Sequence, residues 1–260
     1  MSYIEIPFQN LAVAGVFVAL AIALSYLGRL GLEKTLVVAS ARTFVQLMAV
    51  GYVLRLIFDL EKWYWVVLML AVMTLVAARS ASQRVERPVP HLQKIMIGAL
   101  FVALSTTLGV VAAFVLRLEK WYQPQYTIPI AGMIIGNAMN GAALAADRLS
   151  AEVRLRRREI EAMLSLGATW RRAAETCVRT AMRAALTPTV NTLMVYGIVQ
   201  LPGMMTGQII GGVEPVEAVK YQIMVAYMLA GAVAMSSNIT VALACRQLFT
   251  RAHQLAEAAA

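Results

Sequence analysis

The chain has 260 residues, 60% of them hydrophobic and only 14% charged, with a formal net charge of +9 and a mean hydropathy of +0.69. This composition excludes an ordinary soluble domain, and it points to an all-α, polytopic integral membrane bundle. The two cysteines, Cys177 and Cys245, are far apart and lack a CxxC partner, so spacing suggests neither a zinc site nor a disulfide framework.

The first apolar run, 10–29, follows MSYIEIPFQN, which contains no Lys or Arg. No small-residue cleavage pattern closes the run after Ser25, so it is expected to be a retained transmembrane helix and not a signal peptide. Six more runs, at 35–57, 63–80, 94–117, 127–147, 187–211 and 221–245, have about the length of roughly 20 residues needed to cross a bilayer. The expectation is about seven transmembrane helices in a single domain, 1–260, with one substantial extramembrane segment at about 148–186.

Basic residues set the orientation. With the N-terminus outside, 17 Lys and Arg fall in cytoplasmic loops, among them Arg79, Arg84, Arg87, Lys94 and nine arginines from Arg148 to Arg183. Five fall outside: Arg55, Lys62, Arg117, Lys120 and Lys220. The asymmetry predicts an N-out, C-in topology, with Trp63, Tyr64, Trp65, Trp121 and Tyr122 as interfacial aromatics at external edges. The net charge is then topogenic, and no nucleic-acid partner is implied.

Polar residues inside apolar segments are candidates for a path, because they are costly in hydrocarbon unless they face a partner or water. In the second segment Arg42 and Gln46 share a helix face at i and i+4; Arg42 either snorkels to the cytoplasmic surface or pairs with Asp147 at a similar depth. In the fifth, Asn137 and Asn140 share a face beside Gly132, Gly136 and Gly141, which suits close helix packing or a path lining.

Between the fifth and sixth segments, RLRRREIEAMLSLGATWRRA, residues 154–173, carries six arginines and two glutamates. Ile160, Met163, Leu164 and Gly167 recur at i, i+3, i+4 and i+7, which predicts an amphipathic helix in which Gly167 either ends the helix or permits the close approach of a neighbour. Such a stripe either lies on anionic lipid headgroups or docks a soluble partner in a groove. In the sixth segment Asn191 and Gln200 precede Pro202 and Gly203, which should kink or break the helix; Met204, Met205 and Gln208 follow. Broken helices expose backbone groups at membrane depth, a recurring way to build a substrate site.

Within the loop, Glu161-Ala162-Met163-Leu164-Ser165-Leu166-Gly167 has the E-A-A-x-x-x-G spacing by which ABC transporter permeases contact their ATPase subunits, with Met163 in place of the second alanine. Together with RTFVQLMAVGYVLRLIF at 42–58, PIAGMIIGNAMNGAALAADRL at 129–149 and TPTVNTLMVYGIVQLPGMMTGQIIGGVEPVEAVKYQI at 187–223, nearly the whole chain resembles the FetB-type permease family. That family includes a bacterial iron-export permease and plant aluminium-tolerance membrane proteins.

The resemblance implies a permease subunit of an ABC-type exporter in the inner (cytoplasmic) membrane, serving metal efflux or metal homeostasis. It implies a homodimer that binds two copies of a separate ATPase, through a coupling helix carrying Ile160, Glu161, Ala162, Met163, Leu164 and Gly167. ATP and Mg are expected on that partner and no cofactor on this chain, which has no GxxxxGK[ST] loop and is not expected to be an enzyme. Arg171 and Arg172 could reach acidic residues of the ATPase or serve as topogenic charge.

Met133, Met139, Met204 and Met205 could give a metal soft, weak contacts or simply pack. The apolar segments hold no His and no carboxylate near mid-depth, while His91 and His253 fall on the cytoplasmic side, so no metal site is assigned. The competing function is an ion- or proton-coupled secondary transporter or channel, which needs no ATPase; a signalling relay without transport would need a larger external domain.

Overall fold

The computed structural model describes residues 7–60, 62–86, 89–250 and 254–256; Arg87, Arg251 and His253 lie outside these. The described residues form nine α-helices: α1 (Phe8–Leu27), α2 (Glu33–Leu60), α3 (Trp63–Gln83), α4 (Leu92–Val110), α5 (Pro124–Leu155), α6 (Arg157–Ser165), α7 (Trp170–Val195), α8 (Gly203–Ile210) and α9 (Pro215–Gln247). Among them, α1, α2, α3, α4, α5 and α9 are long and apolar enough to cross a membrane. The chain is therefore a multi-pass membrane helical bundle.

The chain divides into two compact units. One holds α1 and α2, a helical hairpin, with Ile210–Gly212. The uncharged run of α1 ends at Gly28, and the link turns through Arg29 and Gly31, both at positive φ. Ser25, buried at the turn, donates its hydroxyl to Glu33 Oε1 at 2.8 Å and accepts from the Leu32 amide at 3.3 Å. Most described side chains of the two helices are otherwise exposed, Phe17, Leu27, Leu47 and Leu56 among them, while Ile57 is buried. Apolar surface on this scale needs hydrocarbon or protein around it. Arg42 and Gln46 are exposed on α2.

The other unit is built around α5, which packs against α3, α4, α7 and α9. Its inward positions are small or branched: Ala131, Ile134, Ala138, Ala142, Ala145 and Leu149 are fully buried or nearly so. Without a large hydrophobic drive between helices in lipid, close approach and interhelical hydrogen bonds hold such a bundle. At Gly141 a Cβ would lie 2.6 Å from Val233 Cγ1 and 2.9 Å from Ser237 Oγ. Only glycine lets α5 and α9 approach this closely there. Nearby, Ser236 donates across the interface to the Ala138 carbonyl at 3.1 Å.

Three expected elements differ in extent. The fourth segment is α4 followed by a π-helical turn, Val111–Val115, with the Leu116 amide on the Val111 carbonyl at 2.9 Å. The fifth runs on to Leu155, because Leu149 and Val153 keep packing inward after charge interrupts the apolar run. The expected loop at 148–186 is thus helical almost throughout: the end of α5, then α6, then more than half of α7. The sixth segment, 187–211, is not one helix. α7 ends at Val195, a turn spans 196–202 with Gly197 at φ +79°, and α8 starts at Gly203 directly after Pro202. Proline cannot donate to the preceding turn, and its ring disfavours helical backbone before it.

Candidate functional site

Two features of the α3–α9 unit can carry function: the short helix α6 and a cleft between α5, α7, α8 and α9.

α6 begins where α5 ends, at Arg156, which flanks both helices. Its guanidinium donates to Glu152 Oε2 at 3.2 Å and to Glu159 Oε2 at 3.3 Å, while Arg148 pairs with the other Glu152 oxygen at 2.7 Å. The Glu152 hydrogen bond, first among the causes, raises the Arg156 pKa above its ordinary value. Glu152 is buried, so one carboxylate ties the last turn of α5 to the start of α6.

The far end of α6 closes in a Schellman motif. The Ala168 amide bonds to the Met163 carbonyl and the Gly167 amide to the Leu164 carbonyl, both at 3.0 Å, with Gly167 at φ +86°. Beyond it, Trp170 at the start of α7 stacks on Phe249 after α9, with centroids 5.8 Å apart.

The apolar stripe faces inward. Ile160 is 1% exposed in the hydrophobic core, and Met163 and Leu164 pack against that core. This corrects the expectation of a stripe offered to an outside groove. The stripe is consumed by the protein's own bundle, because α7 folds back over it. The outward face instead carries Arg157, Arg158, Glu161, Ala162 and Ser165, then Leu166, which is 89% exposed, and Gly167. Glu161 accepts from Arg157 at 2.8 Å. Arg172 pairs with Glu175 at 2.9 Å and Arg171 lies over the Trp170 ring, so both arginines have partners within the chain.

The cleft consists of two adjoining cavities. One, of about 170 Å³, is lined by Asn137, Asn140 and Gly141 of α5, by Pro188, Thr189 and Thr192 near the end of α7, and by Tyr196 just after it. The other, of about 360 Å³, is lined by Pro202, Met205 and Gln222 among others. Leu193, Tyr196 and Ala226 line both. Asn137 donates to the Met133 carbonyl at 2.9 Å, and Asn140 accepts from Arg84 at 2.7 Å. Asp147, two turns along α5, accepts from the Glu86 amide at 3.2 Å. Asn140 and Asp147 thus clip the segment after α3 onto α5.

Of the other sequence candidates, Asn191 is exposed on α7 outside both cavities. Gln200 lies in the turn, where its carbonyl accepts from the Gly197 amide at 3.0 Å. Met204 packs against the core. The amide oxygens of Gln208 and Gln222 are buried without a hydrogen-bond partner, a state that costs about 1–3 kcal/mol per group. Sequence reasoning missed Tyr196, Thr192 and Gln222. The signal for Gln222 was an amide at the head of the apolar run that follows Lys220, seven residues into α9. Among the described residues no group of three or more His, Cys, Asp or Glu could hold a metal ion.

Comparison with known proteins adds a family. The profile described as "Uncharacterised protein family (UPF0014)" matches residues 8–249. The chain is 40% identical to the "UPF0014 membrane protein slr1647" of Synechocystis, over 90% of this chain and 91% of that protein. It is 37% identical to the "Probable iron export permease protein FetB" of Escherichia coli, over 96% and 95%, and 36% identical to the "Protein ALUMINUM SENSITIVE 3" of Arabidopsis thaliana, over 94% and 88%. No solved structure matches the chain.

Proposed function

The chain belongs to the UPF0014 membrane protein family, and from that premise we propose that it is the transmembrane subunit of an ABC-type exporter for metal efflux, driven by a separate ATPase. The observation that carries the reading is the mounting of α6. A short helix whose apolar side is locked into the bundle, and whose outer side presents Glu161, Ala162, Ser165, Leu166 and Gly167, is built to transmit a push.

In this mechanism the partner ATPase holds ATP and Mg and grips the outer face of α6. Closure of the ATPase displaces α6. The Glu152–Arg156–Glu159 junction passes the motion to α5, and Trp170 on Phe249 passes it to α7 and the end of α9. Those three helices wall the first cavity. A rigid-body shift of packed helices is then enough to open the cleft to alternate sides. The remaining assignments are an N-out, C-in arrangement in the inner membrane, a crossing formed by the end of α7 with α8, and a two-fold homodimer bound to two ATPase copies. The name of the Escherichia coli relative supports iron as cargo.

The test is ATP hydrolysis by a soluble ATPase from the same source, with and without this chain in lipid discs. Glu161→Arg and Leu166→Arg should abolish co-purification and stimulation while leaving the chain folded. An ATPase that never binds, with transport unchanged in Glu161→Arg, would overturn the reading in favour of an ATPase-independent transporter.

A further inference from the structure

We propose that the cavity around Gln222 selects the cargo, and that it admits a small molecule or metal chelate of no net charge that presents hydrogen-bond donors. The inference rests on the transport reading for the word cargo; the binding it predicts stands on the cavity itself.

The wall carries no carboxylate, ammonium, guanidinium, imidazole or thiol. A hard cation stripped of water needs about six or more oxygen ligands, usually with carboxylates among them, and a soft one needs several thiolate, thioether or imidazole ligands. Met205 supplies one thioether, which is far short of either set. A bare ion would therefore arrive uncompensated at low dielectric, where isolated charge is strongly disfavoured.

What the site offers is polar but uncharged. Gln222 is 6% exposed, lines the cavity, and its amide oxygen has no hydrogen-bond partner. Tyr196 and Tyr227 add two hydroxyls to the same wall. Around these, Leu193, Val219, Ile223 and Ala226 make an apolar wall. A few placed polar groups in an apolar cavity is the usual construction of a small-molecule site. Here the unpartnered Gln222 oxygen selects a donor, and the uncharged wall selects against net charge. A metal suits such a site once a chelator has neutralised it, with N–H or O–H groups turned outward.

The test uses the full chain in lipid discs without any ATPase, with binding measured by equilibrium dialysis. The probes are neutral tris(acetohydroxamato)gallium(III), which turns N–H donors outward; Mn²⁺ alone; and free acetohydroxamic acid. The wild type should bind the gallium complex more tightly than Mn²⁺. Gln222→Met, which keeps length and removes the acceptor, should weaken it about tenfold, and Ala226→Leu, which fills the shared wall, should block it while Gln222 stays intact. Gln222→Glu should gain Mn²⁺ binding. Free acid bound with the same Gln222 dependence would support the class and assign a metal-free cargo. The proposal is overturned if Mn²⁺ binds the wild type more tightly than the neutral complex, or if both Gln222→Met and Ala226→Leu bind the complex as the wild type does. Gln222-dependent binding without any ATPase docking would leave this site standing and remove the coupling reading. Docking without Gln222-dependent binding would do the reverse.

Discussion

Replacing Ile160 by alanine tests whether α6 is held by the bundle. Ile160 is 1% exposed within the core, and Met163 and Leu164, which share its stripe, are half-buried. An isoleucine truncated to alanine at such a site costs about 2–5 kcal/mol, as lost transfer energy plus the cavity left behind. Leu166 is 89% exposed, so its truncation should change stability by less than about 0.5 kcal/mol. Hydrogen exchange on the α6 amides reads the difference. At about 1.4 kcal/mol per factor of ten, Ile160→Ala should speed exchange across Arg157–Ser165 by about thirtyfold or more, with α3 and α4 unchanged. Leu166→Ala should leave exchange alone but weaken the bound ATPase. The reasoning fails if the roles reverse, with Leu166→Ala loosening α6 and Ile160→Ala leaving exchange as it was.

Gly141→Ala should destabilise the protein by about 1–3 kcal/mol, because its new methyl meets the stiff, buried Val233. Gly136→Ala, with nothing within 4 Å, should be neutral or slightly stabilising; equal unfolding midpoints for the two variants would count against the α5–α9 packing. Gly167→Ala forces a Cβ into left-handed backbone and should cost about 1–2 kcal/mol, fraying the last turn of α6 in the same exchange assay. Burial pushes the Cys177 thiol up, with Arg156 opposing. Its folded-state value lies above the unfolded one, so this contribution is intact below about pH 8.5 and is lost as pH rises beyond it. In a Cys245→Ala background, maleimide should label Cys177 only on unfolding; labelling of the folded chain near pH 8 would contradict the burial.

The membrane class was readable because composition alone demands hydrocarbon, and five apolar runs became single long helices within a few residues of their expected limits, with α5 overrunning its own. The misreadings share a cause. Apolar runs report where lipid contact ends, whereas helices stop where packing or backbone chemistry stops them. Leu149 and Val153 carry α5 past Asp147, and Pro202 with Gly197 divides a run that composition reads as one. The stripe of α6 was legible as a period, but a period does not say which partner covers it. That depended on α7 folding back, a tertiary fact. Asn137 and Asn140 were visible as amides on one face of an apolar helix. Gln222 stood out less, since one buried amide near a helix end has no pattern until Tyr196 and Met205 are placed beside it.

The hairpin of α1 and α2 has a consequence for how the protein is made. Its turn is closed by its own residues, Ser25 to Glu33 and Leu32, and its exposed surface is mostly apolar, with Arg42, Gln46 and Arg55 among the polar exceptions along α2. A pair of spans that satisfies its own backbone needs only lipid to be stable, as the two-stage picture of membrane insertion requires. The two helices therefore form a package that can enter the bilayer complete, while α5, with its glycine and serine contacts to α9, has to wait until α9, further along the chain, is made.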